Sequence, residues 1–133
     1  MNFTSQICTT KIQSEHLLTL GLKQETADMV IRPDNTLIVI NENSFIYHNL
    51  ERAIQEGYSP AWSLHRLIEM IPSFIDIGEH NYMFSIIQGK LFSYGSDIVG
   101  NAFLYGKGSV YESAIYTIEW LIKEGYFYKE YLK

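Results

Sequence analysis

Apolar residues recur at helical spacing between residues 110 and 124. At its start, Ser109 and Glu112 have the S-x-x-E spacing of a capping box. In a capping box, these two side chains accept hydrogen bonds from backbone amides that have no partner within the helix. Gly125 follows the stretch, and glycine suits the left-handed conformation that ends many helices. The pattern therefore predicts a helix over Val110–Glu124 with one buried stripe, formed by Val110, Tyr111, Ala114, Ile115, Ile118, Leu121 and Ile122.

Two more apolar stripes predict helices nearer the start of the chain. The first covers residues 11–20 and ends at Gly21, again a suitable C-terminal glycine. The second is expected to begin at Ser59 as N-cap, with Pro60 at the first helical position, and to stop before Pro72. Its predicted buried stripe consists of Ala61, Leu64, Leu67, Ile68 and Ile71.

Branched and aromatic residues between these helices predict β-strands. Thr36–Ile40 and Ser44–Tyr47 flank a polar turn and predict one hairpin. Tyr82–Gln88 and Leu91–Tyr94 predict another, joined by a Gly-Lys link of the kind used in type II′ turns, and Ala102–Tyr105 adds a strand. Because the strands cluster as hairpins, we expect an α+β fold: an antiparallel sheet built from hairpins, with about three helices packed on it.

Composition and charge narrow the class of protein. A chain of 133 residues, 47 % hydrophobic and 19 % charged, is expected to form a single globular domain over residues 1–133. A net charge of −5, with no basic run, disfavours nucleic-acid binding. The single cysteine, Cys8, forms no internal disulfide, Met1–Thr10 has no basic stretch followed by an apolar one, and no apolar run is long enough to span a membrane. We therefore expect a cytoplasmic protein without a signal peptide.

Three blocks of the chain are familiar as a set: Leu20–Met29, Pro60–Pro72 and Glu119–Tyr126. Together they cover under a quarter of the sequence, and the Pro-Ala-Trp-Ser-Leu run is the most specific part. The set resembles a family of small uncharacterised proteins carried by phages, prophages and mobile elements of Bacteroidales gut bacteria. The resemblance implies that the protein originates from a mobile element. It implies no activity and assigns no functional residues.

The motifs predict no catalytic, cofactor-binding or metal-binding residues. No two histidines have the i, i+4 spacing of a helical zinc site, and the Gly-Lys-Gly-Ser run at 106–109 lacks the spacing of a phosphate-binding loop. One alternative stays open, a small hydrolase or transferase whose site assembles only in the tertiary structure. Glu79, His80 and Asp97 are the polar residues to inspect first for such a site. A third hypothesis is a protein that mimics nucleic acid. It would need ordered rows of carboxylates, which a net charge of −5 barely permits.

Aromatic side chains off the buried stripes suggest a binding surface. On its predicted helix Trp62 lies beside Arg66, and Tyr116 and Trp120 share a side of the C-terminal helix with charged residues. Because Trp, Tyr and Arg dominate protein interfaces, we predict these four as interaction residues. The alternative is that they fill a second buried layer. The leading hypothesis is a non-enzymatic accessory protein that binds another protein, either a host factor or its own copy.

Overall fold

A computed structural model describes residues 5–40 and 48–133. Over these residues the chain forms four α-helices and two antiparallel sheets, which confirms the predicted α+β class. The helices are α1 Lys11–Thr19, α2 Leu50–Gln55, α3 Leu64–Glu69 and α4 Val110–Glu124, with short 3₁₀ turns at Gln24–Thr26 and Lys129–Tyr131. The strands are β1 Met29–Ile31, β2 Leu37–Val39, β3 Ser59–Ala61, β4 Phe74–Ile77, β5 His80–Ile87, β6 Leu91–Ser96 and β7 Gly100–Tyr105. None of these helices is both long and apolar enough to cross a membrane.

The described residues group into two compact units. The first contains the described residues up to Arg66 together with 130–133, and the second contains residues 67–129. The expectation of one domain over residues 1–133 stays a prediction.

The first unit is built on a three-stranded antiparallel sheet in the order β2-β1-β3. The central strand β1 is buried along its whole length, and Met29 and Ile31 share a core cluster with Cys8 and Ala61. Helix α1 begins with a complete capping box, since the Thr10 hydroxyl accepts the Gln13 amide at 3.1 Å and the Gln13 side chain accepts the Thr10 amide at 3.0 Å.

The predicted helix start at Ser59 is wrong. Ser59–Ala61 is an extended edge strand, in which Pro60 lies opposite Val30 of β1. Proline is tolerated there because an edge strand can spare an amide donor. The helix begins instead at Leu64, where the Ser63 hydroxyl accepts the Arg66 amide at 3.1 Å, and ends at Glu69.

The predicted first hairpin can be followed for only one of its strands. Leu37–Val39 is a strand, and it pairs antiparallel with Met29–Ile31. The other predicted strand, Ser44–Tyr47, lies outside the described residues.

The second unit carries a four-stranded antiparallel sheet in the order β4-β5-β6-β7. The predicted hairpin of β5 and β6 is present, but its turn has positive φ at both Gln88 (54°) and Gly89 (77°). Two consecutive positive φ values are the pattern of a type I′ turn rather than the expected type II′ turn. Strand β7 contains a bulge, because Phe103 lies opposite Tyr94 and Asn101 opposite Gly95.

Helix α4 has the predicted limits. The Ser109 hydroxyl accepts the Glu112 amide at 3.2 Å, and Gly125 ends the helix with a φ of 82°. Glycine adopts that left-handed conformation without the steric cost of a Cβ. The helix packs one side on the sheet, and its residues buried from solvent include Tyr111, Ala114, Ile115, Ile118 and Leu121.

Candidate protein-binding surface

The side of the four-stranded sheet that faces α4 is an aromatic layer. Trp120 contacts the rings of Tyr94, Phe103 and Tyr126 at centroid distances of 5.9, 4.9 and 6.0 Å. Phe84 packs against Tyr94 at 5.4 Å. Trp120 is therefore half-buried by the sheet, as the second-layer alternative expects.

Tyr116 lies on the same helix with a more open position. Its ring stacks on Tyr105 at 4.2 Å with an interplanar angle of 13°, and 48 % of the residue stays exposed. Stacking on one face and solvent on the other leave Tyr116 as the predicted interaction residue with the most accessible surface. Its role in an interface stays a prediction.

The opposite side of the sheet, which we call the outer face, exposes large apolar side chains around a buried serine, Ser93. Its large apolar residues are Phe74, Met83, Ile87 and Leu104, with exposed fractions of 57, 55, 45 and 51 %. The strand register places Phe74 directly opposite Met83, on neighbouring strands. The small residues Ser85 and Ser93 lie between the apolar ones, and their hydroxyls are 2.9 Å apart. A sheet face of this kind is the type of surface that proteins use to bind a partner.

The charges of this sheet are divided between its two ends. Asp76, Glu79 and Asp97 lie at the end where β4 turns into β5 and β6 turns into β7. Lys90 lies in the turn at the opposite end, and Lys107 follows the end of β7. The outer face is therefore apolar along its centre, acidic at one end and basic at the other.

The sequence contained a signal for the outer face that the hairpin assignment did not use. Tyr82–Ile87 is apolar at both alternating sets of positions, with Tyr82, Phe84 and Ile86 in one set and Met83 and Ile87 in the other. In a strand with one solvated face, one set would be polar. An apolar residue in both sets therefore indicates a sheet that is apolar on both sides.

Trp62 lies in the interior of the first unit and has an exposed fraction of 0 %. Its indole nitrogen donates to the Thr26 hydroxyl at 3.0 Å, and its backbone amide donates to the Thr9 hydroxyl at 3.0 Å. The helical position that suggested exposure does not exist, because Trp62 follows a strand. We therefore assign Trp62 to the core and leave it out of the candidate surface.

Arg66 joins the same buried network from its edge. Its Nε donates to the Thr26 carbonyl oxygen at 2.8 Å, and its guanidinium carbon lies 5.5 Å from the centre of the Tyr131 ring. Residues of Leu20–Met29 and Pro60–Pro72 thus meet here, since Thr26 and Asp28 belong to the first segment, and Trp62, Ser63 and Arg66 to the second. These contacts give the five residues a structural role within the first unit.

The N-terminal segment and the β1–β2 turn border an open depression of about 510 Å³ in the first unit. Its apolar lining includes Ile7, Ile12 and Leu37, all of them partly exposed. Cys8 lies at its base with 5 % exposure, and burial raises the pKa of its thiol, with a further contribution from the charge of Asp28. The thiol is therefore protonated and poorly nucleophilic at neutral pH.

The polar residues of the enzymatic alternative are near one end of the second sheet. Glu79 is in the β4–β5 turn and exposed, Asp97 is in the β6–β7 turn and exposed, and His80 begins β5. No hydrogen bond between any two of these three is found in the described structure. Across residues 5–40 and 48–133, no group of three His, Cys, Asp or Glu side chains is placed to hold a metal ion.

No protein family, curated protein or solved structure matches this chain. Its function is therefore inferred from its own surface.

Proposed function

We propose that this chain is a non-enzymatic accessory protein that acts by binding another protein through the outer face of its four-stranded sheet. The observation that supports it is the exposure of Phe74, Met83, Ile87 and Leu104 on one sheet surface. Burying such side chains contributes about 25 cal/mol per Å² of apolar area, so a partner that covers them gains binding energy directly.

The chemistry of the face defines the partner. Its centre contains apolar residues and the hydroxyls of Ser85 and Ser93, and carries no charge, so the partner presents an apolar patch. At the acidic end, Asp76, Glu79 and Asp97 attract basic side chains. The proposed partner is therefore a protein with an apolar patch bordered by Lys or Arg on one side.

The resemblance to phage and mobile-element proteins supports a host protein as this partner. The protein then acts in the bacterial cytoplasm, in keeping with a chain that has one cysteine and needs no disulfide. Both origin and compartment are part of the proposal.

Site-specific photo-crosslinking in bacterial host cells tests the surface itself. A photo-reactive phenylalanine replaces Met83 in the outer face, and the same residue replaces Glu25, an exposed position in the first unit, as a matched control. We expect position 83 to crosslink one host protein, at a peptide with apolar and basic residues, and position 25 to leave that protein unlinked. A second variant, Phe74→Lys, which places a charge next to Met83, should abolish the crosslink.

Two results would overturn the proposal. One is equal crosslinking of the same proteins from positions 83 and 25. The other is a crosslink at position 83 that survives Phe74→Lys while circular dichroism shows an unchanged fold.

A further inference from the structure

The open depression of the first unit is bordered by exposed aliphatic side chains. Ile7, Ile12 and Leu37 have exposed fractions of 60, 79 and 40 %, whereas Cys8 and Ile31, which also line the depression, are 5 and 6 % exposed. Its volume of about 510 Å³ is within the range of about 300–1,000 Å³ that is typical of small-molecule sites. The described residues that line it include no aromatic side chain on which a ring could stack. These features favour an aliphatic ligand over an aromatic one.

The polar groups at the depression leave one charge for a ligand. The Thr9 hydroxyl accepts the Trp62 backbone amide at 3.0 Å, and the Thr10 hydroxyl accepts the Gln13 backbone amide at 3.1 Å, so both hydroxyls are engaged within the protein. Lys11 is the only charged residue among the described residues that line the depression. Its ammonium group has no ion-pair partner among residues 5–40 and 48–133. The depression therefore combines apolar walls with one unpaired positive charge.

We propose that this depression binds an aliphatic carboxylate, with the carbon chain against Ile7, Ile12 and Leu37 and the carboxylate beside Lys11. A net charge of −5 repels anions from the protein surface as a whole, so Lys11 marks the place where an anionic head can lie. One lysine provides one positive charge, which matches a carboxylate better than a phosphate monoester with its charge of about −1.5 to −2. The chain supplies most of the affinity, since each methylene that leaves water strengthens binding by about two- to fourfold.

A pair of probes with the same carbon chain and opposite head groups tests the role of Lys11. Isothermal titration calorimetry of the full chain measures the binding of sodium decanoate and of decylammonium chloride. We expect the wild type to bind decanoate about fivefold more tightly than decylammonium, although the net charge of the protein favours the cation. Lys11→Glu should reverse this preference, because it replaces the ammonium group with a carboxylate. An acidic residue in the first turn of α1 also favours the helix, so this variant should keep its fold.

A matched pair of isoleucine variants tests the apolar wall. Ile12→Ser removes a wall residue that is 79 % exposed, and Ile98→Ser is the control, because Ile98 is 82 % exposed in a turn of the second unit. Ile12→Ser should weaken the binding of decanoate by at least about threefold, and Ile98→Ser should leave it unchanged. Octanoate has two fewer methylenes and should bind the wild type about 4- to 15-fold more weakly than decanoate.

Several results would contradict this site. One is the absence of saturable decanoate binding, and another is a Lys11→Glu variant that keeps the wild-type preference. Equal weakening by Ile12→Ser and Ile98→Ser would also refute it. Binding to phosphatidylglycerol vesicles without saturable binding of monomeric decanoate would assign the depression to a membrane surface instead, and the proposal would fail. The site belongs to the first unit and does not depend on the proposed function, whose own test is the crosslink from position 83.

Discussion

Ser63 donates two hydrogen bonds to Asp28, one from its backbone amide at 2.8 Å and one from its hydroxyl at 2.5 Å. The carboxylate therefore accepts with both of its oxygens. The same hydroxyl of Ser63 also accepts the Arg66 amide at the start of α3. Asp28 thereby ties the segment before β1 to the start of a helix 35 residues further along.

Removal of this carboxylate should destabilise the protein. We expect Asp28→Ala to lower the free energy of unfolding by about 2–4 kcal/mol, because it leaves two donors of Ser63 without their acceptor. Asp28→Asn keeps one acceptor oxygen and should cost about half as much. Urea denaturation followed by circular dichroism measures both. Glu15→Ala, at an exposed position of α1, is the control and should change stability by less than about 0.5 kcal/mol. Equal stability of Asp28→Ala and wild type would contradict the structure.

The buried indole of Trp62 and the hydroxyl of Thr26 should be energetically coupled. Trp62→Phe removes the indole donor and leaves unfilled volume, so it should cost about 2–4 kcal/mol. Thr26→Val removes the acceptor and should cost about 1–3 kcal/mol, because the indole N–H stays buried and unpaired. In the double variant we expect a coupling energy of about 1 kcal/mol by denaturant unfolding. Strict additivity would show that the two groups do not interact.

Two serines of the second unit should respond differently to the same substitution by alanine. Ser109 caps α4, so Ser109→Ala should cost about 1 kcal/mol. Ser113 is buried in the same helix, and its hydroxyl has no hydrogen-bond partner among the described residues. Ser113→Ala should therefore leave the melting temperature unchanged or raise it, since it removes a buried unsatisfied group and inserts a better helix former. A loss of stability in Ser113→Ala comparable with that in Ser109→Ala would refute this expectation.

Alkaline pH should destabilise the protein through Tyr94. Burial raises the pKa of Tyr94, and the charge of Tyr128 raises it further. In the unfolded chain a tyrosine ionises near pH ~10, so above that pH the unfolded state loses a proton that the folded state retains. The contribution of Tyr94 to the free energy of unfolding is therefore fully present below pH ~10. Above that pH it falls by about 1.4 kcal/mol per pH unit, until the pH reaches the pKa of Tyr94 in the folded state.

The variant Tyr94→Phe separates this effect from other causes of alkaline unfolding. At pH 7 it should cost about 1 kcal/mol, because the phenol donates to the Pro72 carbonyl oxygen. Above pH ~10 the difference from wild type should shrink and then reverse. Urea midpoints between pH 8 and 11.5 measure both slopes, and a Tyr94→Phe slope equal to that of the wild type would contradict the assignment to Tyr94.

The sequence predicted those elements whose ends are fixed by local chemistry. Helix α4 was correct at both limits because the Ser109 cap and the left-handed Gly125 act within a few residues of each end. The hairpin of β5 and β6 was predicted for a similar reason, since a tight turn between two runs of branched and aromatic residues indicates it locally, although the type of turn was wrong.

Elements that depend on distant partners were the ones that sequence reasoning missed. Ser59 and Pro60 have the chemistry of a helix start, but pairing with β1 extends them into a strand. That error moved Trp62 onto a helix surface, whereas Thr9 and Thr26 hold it in the core. The outer face was missed because exposure depends on which side of the sheet α4 covers, and the apolar residues at both sets of positions in Tyr82–Ile87 do not distinguish the two sides.

The first unit includes residues 130–133, which bond to residues far upstream. The backbone amide of Lys23 donates to the Tyr131 carbonyl oxygen at 2.8 Å, and the backbone amide of Lys133 donates to the Gly21 carbonyl oxygen at 2.9 Å. During synthesis, these bonds form only after residue 133 has left the ribosome. Until then Leu22, whose partner in an antiparallel bridge is Leu132, lacks part of its cover. Closure of this unit therefore joins two segments that are far apart in the sequence, which makes it a long-range step of folding.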